Sequence, residues 1–288
     1  MLPPVSRKPH IMTLSALRHL AFAAALFPAA AFAQDASDAP PGDSVTIGVG
    51  AASIPRFEGA SDNTIIPAAA IRGTVSGISF STVGTGLYVD LVPARAATGI
   101  DFILGPVAHV TLNRTSRKRT GDAQINALGK LDVAVELGGD IGISRTGVFT
   151  SDFDTVSFDV AVTHDVTGTH DSLIVTPTFA YATPLSTKLY VGASVSANYV
   201  GKGYGRTYFG VDGAQSLASA LPIYDPGSGI KDINFGLLSN VSLSGDLRRG
   251  LSLFALGNYA RLLGDFGRSP VVRDRGQWFG GVGLAYTF

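Results

Sequence analysis

The chain has no cysteine. That excludes a disulfide scaffold, cysteine-ligated zinc, iron–sulfur clusters and thiol catalysis, because each needs a sulfur ligand or nucleophile. Charge is scarce as well: only 15% of the 288 residues are Asp, Glu, Lys or Arg, against about 25% in ordinary soluble domains. The 22 basic residues are matched by 22 acidic ones, and a nucleic-acid binder needs a concentrated cationic surplus to neutralise phosphates. No nucleic-acid partner is therefore expected. Long apolar runs are missing too, since past the N-terminal segment no uncharged apolar run approaches the ~18 residues of a membrane-crossing helix. Yet 45% of the residues are hydrophobic. That is too many for disorder, and with so few charges it points to apolar surface that does not face water.

At the N-terminus, Arg7, Lys8, Arg18 and His19 precede an apolar stretch from Leu20 to Ala31, and Ala31-Phe32-Ala33 offers a small-x-small site before Gln34. This is the pattern of a signal peptide, and the apolar stretch is shorter than the ~20 residues of a membrane anchor. The expected organisation is a signal peptide at 1–33, a mobile leader at 34–43 and one domain over 44–288. Removing Arg7, Lys8 and Arg18 with no acidic residue leaves a slightly acidic exported product.

What recurs in the remaining chain is alternation with period two, in stretches of about ten residues broken by Gly, Pro, Asp and Asn, the signature of a transmembrane β-barrel. Leu131, Val133, Val135, Leu137, Ile141 and Ile143 fall on one face; Asp132, Ala134, Glu136, Gly138, Asp140 and Gly142 fall on the other. Soluble sandwiches place many Lys, Glu and Arg on the polar face. Here it is mostly Gly, Ser, Asn, Thr and Asp, side chains that fit inside a narrow barrel. The expected fold is all-β, an antiparallel barrel of about twelve strands at 44–53, 64–72, 74–82, 84–92, 99–112, 130–145, 148–165, 171–183, 187–200, 230–244, 250–262 and 276–288. Ten is the count if a pair of short early strands is spurious. With the last strand ending in the periplasm, the long connectors fall outside and the short ones inside, as bacterial barrels favour, apart from a tight turn at 83 that falls outside. Trp278, Val282, Leu284, Tyr286 and Phe288 alternate up to a terminal Phe. This looks like the sorting signal read by the barrel-assembly machinery, with Tyr286 and Phe288 as its aromatic members, and the expected location is the outer membrane of a Gram-negative bacterium.

Several stretches then resemble the MipA/OmpV family of outer-membrane proteins: Pro55-Arg56-Phe57-Glu58-Gly59-Ala60-Ser61, Leu128 to Gly138, Tyr208-Phe209-Gly210-Val211 followed by Leu221-Pro222-Ile223-Tyr224, and Leu263-Gly264-Asp265-Phe266-Gly267-Arg268-Ser269-Pro270-Val271-Val272. The first departs from the family in carrying Phe where Tyr is commoner. Phe57, Glu58, Gly59, Tyr208, Phe209, Gly210, Asp265, Ser269 and Pro270 are the motif residues in its loops. The resemblance implies a barrel and, in the member that names the family, a scaffold joining a murein transglycosylase to a murein synthase. A small-solute channel and a surface adhesion barrel are the alternatives.

Residues for catalytic chemistry are scarce. Past the signal segment only His109, His164 and His170 remain, and no G-x-S-x-G occurs. His164-Asp165 with His170-Asp171 is the one acid–base cluster, but strand neighbours point to opposite faces unless a bulge intervenes. No catalytic, cofactor-binding or metal-binding residue is assigned, and no enzyme activity is expected. Asp132, Glu136, Asp140 and Asp159 share the predicted inward face, with Arg72, Arg145 and Arg206 as candidate counter-charges that would plug the lumen. Arg114, Arg117, Lys118 and Arg119 form a basic run at the predicted membrane edge, suited to lipopolysaccharide phosphates. Asp212 is positioned to cap a short helix over 212–220.

Overall fold

In a bilayer each backbone N–H and C=O must find a partner within the protein, so strands cross it only as a closed cylinder. The computed structural model describes residues 42–93 and 99–288; the expected signal peptide and nearly all of the leader lie outside them. Twelve strands follow in order: β1 Ser44–Pro55, β2 Asn63–Val75, β3 Ile78–Val83, β4 Gly86–Asp90, β5 Gly99–Thr111, β6 Ala134–Thr146, β7 Thr155–Asp165, β8 Leu173–Pro184, β9 Leu189–Val200, β10 Gly229–Ser242, β11 Gly250–Leu262 and β12 Gly276–Thr287. Each pairs with its sequence neighbours, and β1 pairs antiparallel with β12, closing an all-antiparallel barrel. Fold class and strand number match the expectation from the sequence.

The barrel wall is apolar outside. Val49, Ile65, Phe102, Leu104, Ile141, Leu237 and Val282 are all exposed, while Thr46, Ser157, Thr163, Ser252 and Thr287 are buried inward. Exposed Tyr199 and Trp278 stand near one rim and exposed Tyr286 and Phe288 near the other, as in the aromatic girdles of membrane barrels. The two ends differ. The long connectors 56–62, 112–133, 166–172, 201–228 and 263–275 gather at one, the loop end, with helices α1 Arg117–Thr120, α2 Ala123–Ala127, α3 Lys202–Phe209, α4 Gly213–Ser219 and α5 Gly264–Arg268. The other, the turn end, carries the remaining links, apart from the β3–β4 turn at 84–85, which points toward the loop end.

Several boundaries differ from the sequence expectation, each for a local reason. The break expected at 73 falls at Ser76-Gly77, both with positive φ, the geometry of a tight hairpin turn. The strand expected from 148 starts at Thr155, because Asp154 collects the backbone N–H groups of Val148, Phe149 and Thr150 and folds 147–154 into a turn. β6 starts at Ala134 instead of 130, so Asp132 lies ahead of it and is exposed. The turn end has its own closure: Leu247, from the β10–β11 link, is buried against Ala182, Tyr190 and Leu238, held by its N–H on the Thr187 carbonyl at 3.0 Å.

Candidate functional site

The loop end carries most of the buried chemistry. Residues 56–62 leave β1 and turn at Gly59, which has φ +92°. A Cβ there would stand 2.7 Å from Val272 Cγ2, so only glycine allows both the left-handed backbone and the contact. Gly59 N–H donates to Gln277 Oε1 at 3.0 Å, and its carbonyl accepts from the N–H groups of Arg273 and Asp274. The tip of the first loop is thereby sewn to the last.

Phe57 from this loop packs with Ile125 and Leu128 of the β5–β6 connector, Val211 and Leu221 of the β9–β10 connector, and Val271 of the last loop. A second cluster joins Tyr204, Tyr208 and Phe209 of α3 to Val200, Leu262 and Phe266. α3 sits this deep because Gly203 has no side chain; a Cβ there would lie 2.0 Å from the His170 carbonyl. α4 is capped by Asp212, whose carboxylate accepts from Gln215 N–H while Gln215 Oε1 accepts from Asp212 N–H, a capping box. Gln215 and Gln124 then bond the carbonyls of Leu128 and Ser219, locking the two connectors together.

Beneath these clusters lies a charged clasp. Glu58 accepts from Lys231 Nζ at 2.5 Å, from the Tyr204 hydroxyl at 2.9 Å and from Asn113 Nδ2 at 3.2 Å. Lys231 also pairs with Asp232 at 3.2 Å and lies 5.1 Å from the Tyr204 ring centre. Lys231 and Asp232 are consecutive, yet both are buried. The register slips between Ile230 and Asp232, and this bulge turns both side chains inward. Burial, then the neighbouring Glu58 carboxylate, pushes the Tyr204 hydroxyl well above its ordinary value, so it remains a donor.

Next to the clasp, buried Glu136 accepts from His170 Nε2 at 3.1 Å and lies 3.3 Å from His109 Nδ1, while His109 Nε2 meets the Thr85 hydroxyl at 3.1 Å. His170 stacks edge-on against Tyr204, ring centres 5.1 Å apart. The acid–base grouping of His164-Asp165 with His170-Asp171, which strand alternation argued against as a single site, does not form one. His170 turns inward, whereas His164 is half exposed, bonded to the Asp165 carbonyl and 3.8 Å from Asp171. Asp165 accepts from the N–H groups of Thr167, His170 and Asp171 as a turn-former.

The remaining sequence candidates separate. Glu136 and Asp140 are buried inward and Asp159 faces the lumen opposite Gly142. Asp132 and Arg145 are exposed, and Arg206 pairs on the surface with Asp225 at 2.7 Å; none of these three enters the lumen. In the basic run, Arg114 is buried with its guanidinium on the carbonyls of Tyr208 and Gly129. Burial lowers it to about 10. Arg119 donates to the Leu112 carbonyl, which leaves Arg117 and Lys118 exposed. Ser269 Oγ donates to the Phe209 carbonyl at 2.6 Å, Asp265 binds Arg268, and the Asp265 carbonyl accepts from the Tyr224 hydroxyl. Phe57, Glu58, Gly59, Tyr208, Phe209, Asp265 and Ser269, scattered over more than two hundred positions, thus meet in one assembly across the mouth. Lys231, Tyr204, Asn113 and Gln277 belong to it as well and carried no local signal.

Among known proteins, the family model for the MltA-interacting protein MipA matches residues 47–288. Comparison with curated proteins finds no match. Solved structures that overlap the chain include the toluene transporter TodX of Pseudomonas putida, at 10% identity and TM-score 0.35 over 86% of this chain and 90% of that one. A FadL homologue of Pseudomonas aeruginosa overlaps at 10% identity and TM-score 0.33, over 85% and 90%. Both overlaps are loose.

Proposed function

From the premise that this chain belongs to the MltA-interacting protein MipA family and is an outer-membrane β-barrel, we propose that it is a sealed, non-enzymatic anchor of the cell envelope whose turn end docks murein-processing enzymes in the periplasm. The observation that carries this reading is the mouth assembly. Two apolar clusters and a Glu58–Lys231–Asp232 clasp, with Lys231 and Asp232 buried and Glu58 half-buried, tie the connectors together across the loop end, where a diffusion porin keeps a water-filled channel. The family's name supplies the partner class, a murein transglycosylase, with a murein synthase as its counterpart.

Thr85, His109 and Glu136 have the connectivity of a nucleophile, base and orienting acid, but we read this relay as structural. Thr85 sits on the β3–β4 turn, and its bond to His109 holds that turn against β5. Membrane lipid bathes the wall, Arg117 and Lys118 are free to meet lipopolysaccharide phosphates, and the last strand, ending Tyr286-Thr287-Phe288, is the segment offered to the barrel-assembly machinery.

Purified protein in a planar bilayer tests the seal, and crosslinking in intact envelopes tests the docking. The expectation is no regular conductance steps, with a transglycosylase and a synthase recovered together. Large steady openings would refute the anchor reading in favour of a channel. Repeated recovery of neither enzyme would refute the scaffold role, and turnover of a short-chain ester that disappears in His109→Ala would refute the non-enzymatic one.

A further inference from the structure

The barrel wall is not laddered to the same height all round. β2 has 13 residues, but its neighbour β3 has 6 and β4 has 5. On that side β2 pairs only from Arg72 to Val75. The next rung is not backbone: Thr82 Oγ1 accepts from Ile71 N–H at 3.0 Å and donates to the Ile71 carbonyl at 3.2 Å. Backbone groups pointing to one side of a strand alternate, so those of Ala69, Pro67 and Ile65 point the same way as Ile71. Among the described residues no strand pairs with them there.

The gap is framed. Below, the β3–β4 turn ends at Gly84-Thr85, tied to His109 of β5. Above, Glu58 and Asn113 exchange two bonds of 3.2 Å and Arg56 donates to the Arg119 carbonyl at 3.3 Å. Its outer rim is apolar, with Ile65 78% exposed and Ile71 and Leu87 exposed beside it. Its inner rim is small, Ala68 and Ala70 on the inward face of β2.

An open edge in hydrocarbon is costly unless something covers it. A strand from a second chain fits badly, because Pro67 at the centre of the open stretch has no N–H to give to a ladder. A lipid fits better. It already surrounds the wall, its chain matches the apolar rim, and Ile65 lies two residues from the loop-end terminus of β2, at the level of the polar headgroup zone. We propose that this seam is a lateral lipid site: one acyl chain of a bilayer lipid enters the wall between β2 and the β3–β4 hairpin, and ester oxygens near its head accept the Ile65 N–H.

Because the chain has no cysteine, a single introduced one is labelled uniquely. Ala68→Cys puts a bimane on the inward face behind the seam. Ser196→Cys puts it on the inward face of β9, where Thr178 of β8 and Asn234 of β10 pair with it on either side. Each full-length protein is reconstituted in phosphatidylcholine vesicles containing doxyl-labelled acyl chains. The expected result is several-fold stronger quenching at position 68 than at 196. Equal quenching by the doxyl lipid, or quenching at 68 by aqueous iodide alone, overturns the proposal. If the label at 68 blocks assembly, Ala70→Cys is read by the same criteria.

Discussion

Replacing Lys231 with Met removes the one cation between two carboxylates. Lys231 holds Glu58 at 2.5 Å and Asp232 at 3.2 Å, and Lys231 and Asp232 are only 7% and 5% exposed. Breaking a buried pair from one side costs about 3–5 kcal/mol, because the partner charge is stranded. Glu58 keeps some solvent, its side chain being 28% exposed, so the lower half of that range applies. At about 1.4 kcal/mol per decade, 3–4 kcal/mol raises the open population of the seal ~10²- to 10³-fold. The barrel ladder does not share in this, so the loss is local. The assay is limited proteolysis of segment 201–228 in reconstituted vesicles, alongside conductance. Lys231→Met is expected to be cut far faster and to show brief openings, with unchanged heat resistance of the barrel. Adding Glu58→Gln and Asp232→Asn removes the stranded charges and is expected to recover most of the protection. Cleavage of Lys231→Met at the parental rate would refute the assignment of the clasp as the lock of the seal.

Other perturbations follow from the same geometry. Gly59→Ala forces a side chain onto φ +92° and against Val272; an expected cost of about 1–3 kcal/mol would appear as faster cleavage of 56–62, and unaltered cleavage would contradict it. At the turn end, burial opposes the charge of Asp154, but the N–H groups of Thr150, Val148 and Phe149 and the Tyr181 hydroxyl hold it down at about 2. A lowered carboxylate stabilises fully above its unfolded value near 3.8 and loses that contribution as pH falls toward 2. Amide exchange of Thr150 is therefore expected to quicken over that window in the parent and to be pH-insensitive, beyond intrinsic chemistry, in Asp154→Asn. Deleting Phe288 removes the N–H that donates to the Val45 carbonyl at 2.9 Å and an aromatic of the girdle; the yield of folded barrel in outer membranes is expected to fall, and normal yield would refute its role in assembly.

The assembly at the mouth was partly visible in the sequence and partly hidden. Phe57, Glu58 and Gly59 stood out as a motif, but nothing local tied Glu58 to Lys231, 173 positions away. Period-two logic assigns Lys231 and Asp232 to opposite faces, and only the bulge between Ile230 and Asp232 brings both inward. The same logic correctly warned against a shared site at His164-Asp165. Arg145 missed the lumen because its parity is that of outward Ile141 and Ile143. Of the short helices, α4 was legible from its Asp212 cap. α3 was not, because Gly203 and Gly205 read as loop residues and the helix holds its place by packing.

What the amino-acid order supplied unaided was the cylinder: a closed antiparallel barrel of about twelve strands, its apolar exterior and the gathering of the long connectors at one end. Side chains alternate every second residue and the surrounding solvent differs on the two faces, so each strand records its own environment locally. Which connectors interlock, which buried charges meet, and where β3 and β4 stop short of their neighbour were decided by the tertiary structure. Those outcomes depend on register, a bulge and contacts between distant segments, and no periodicity within a single stretch encodes them.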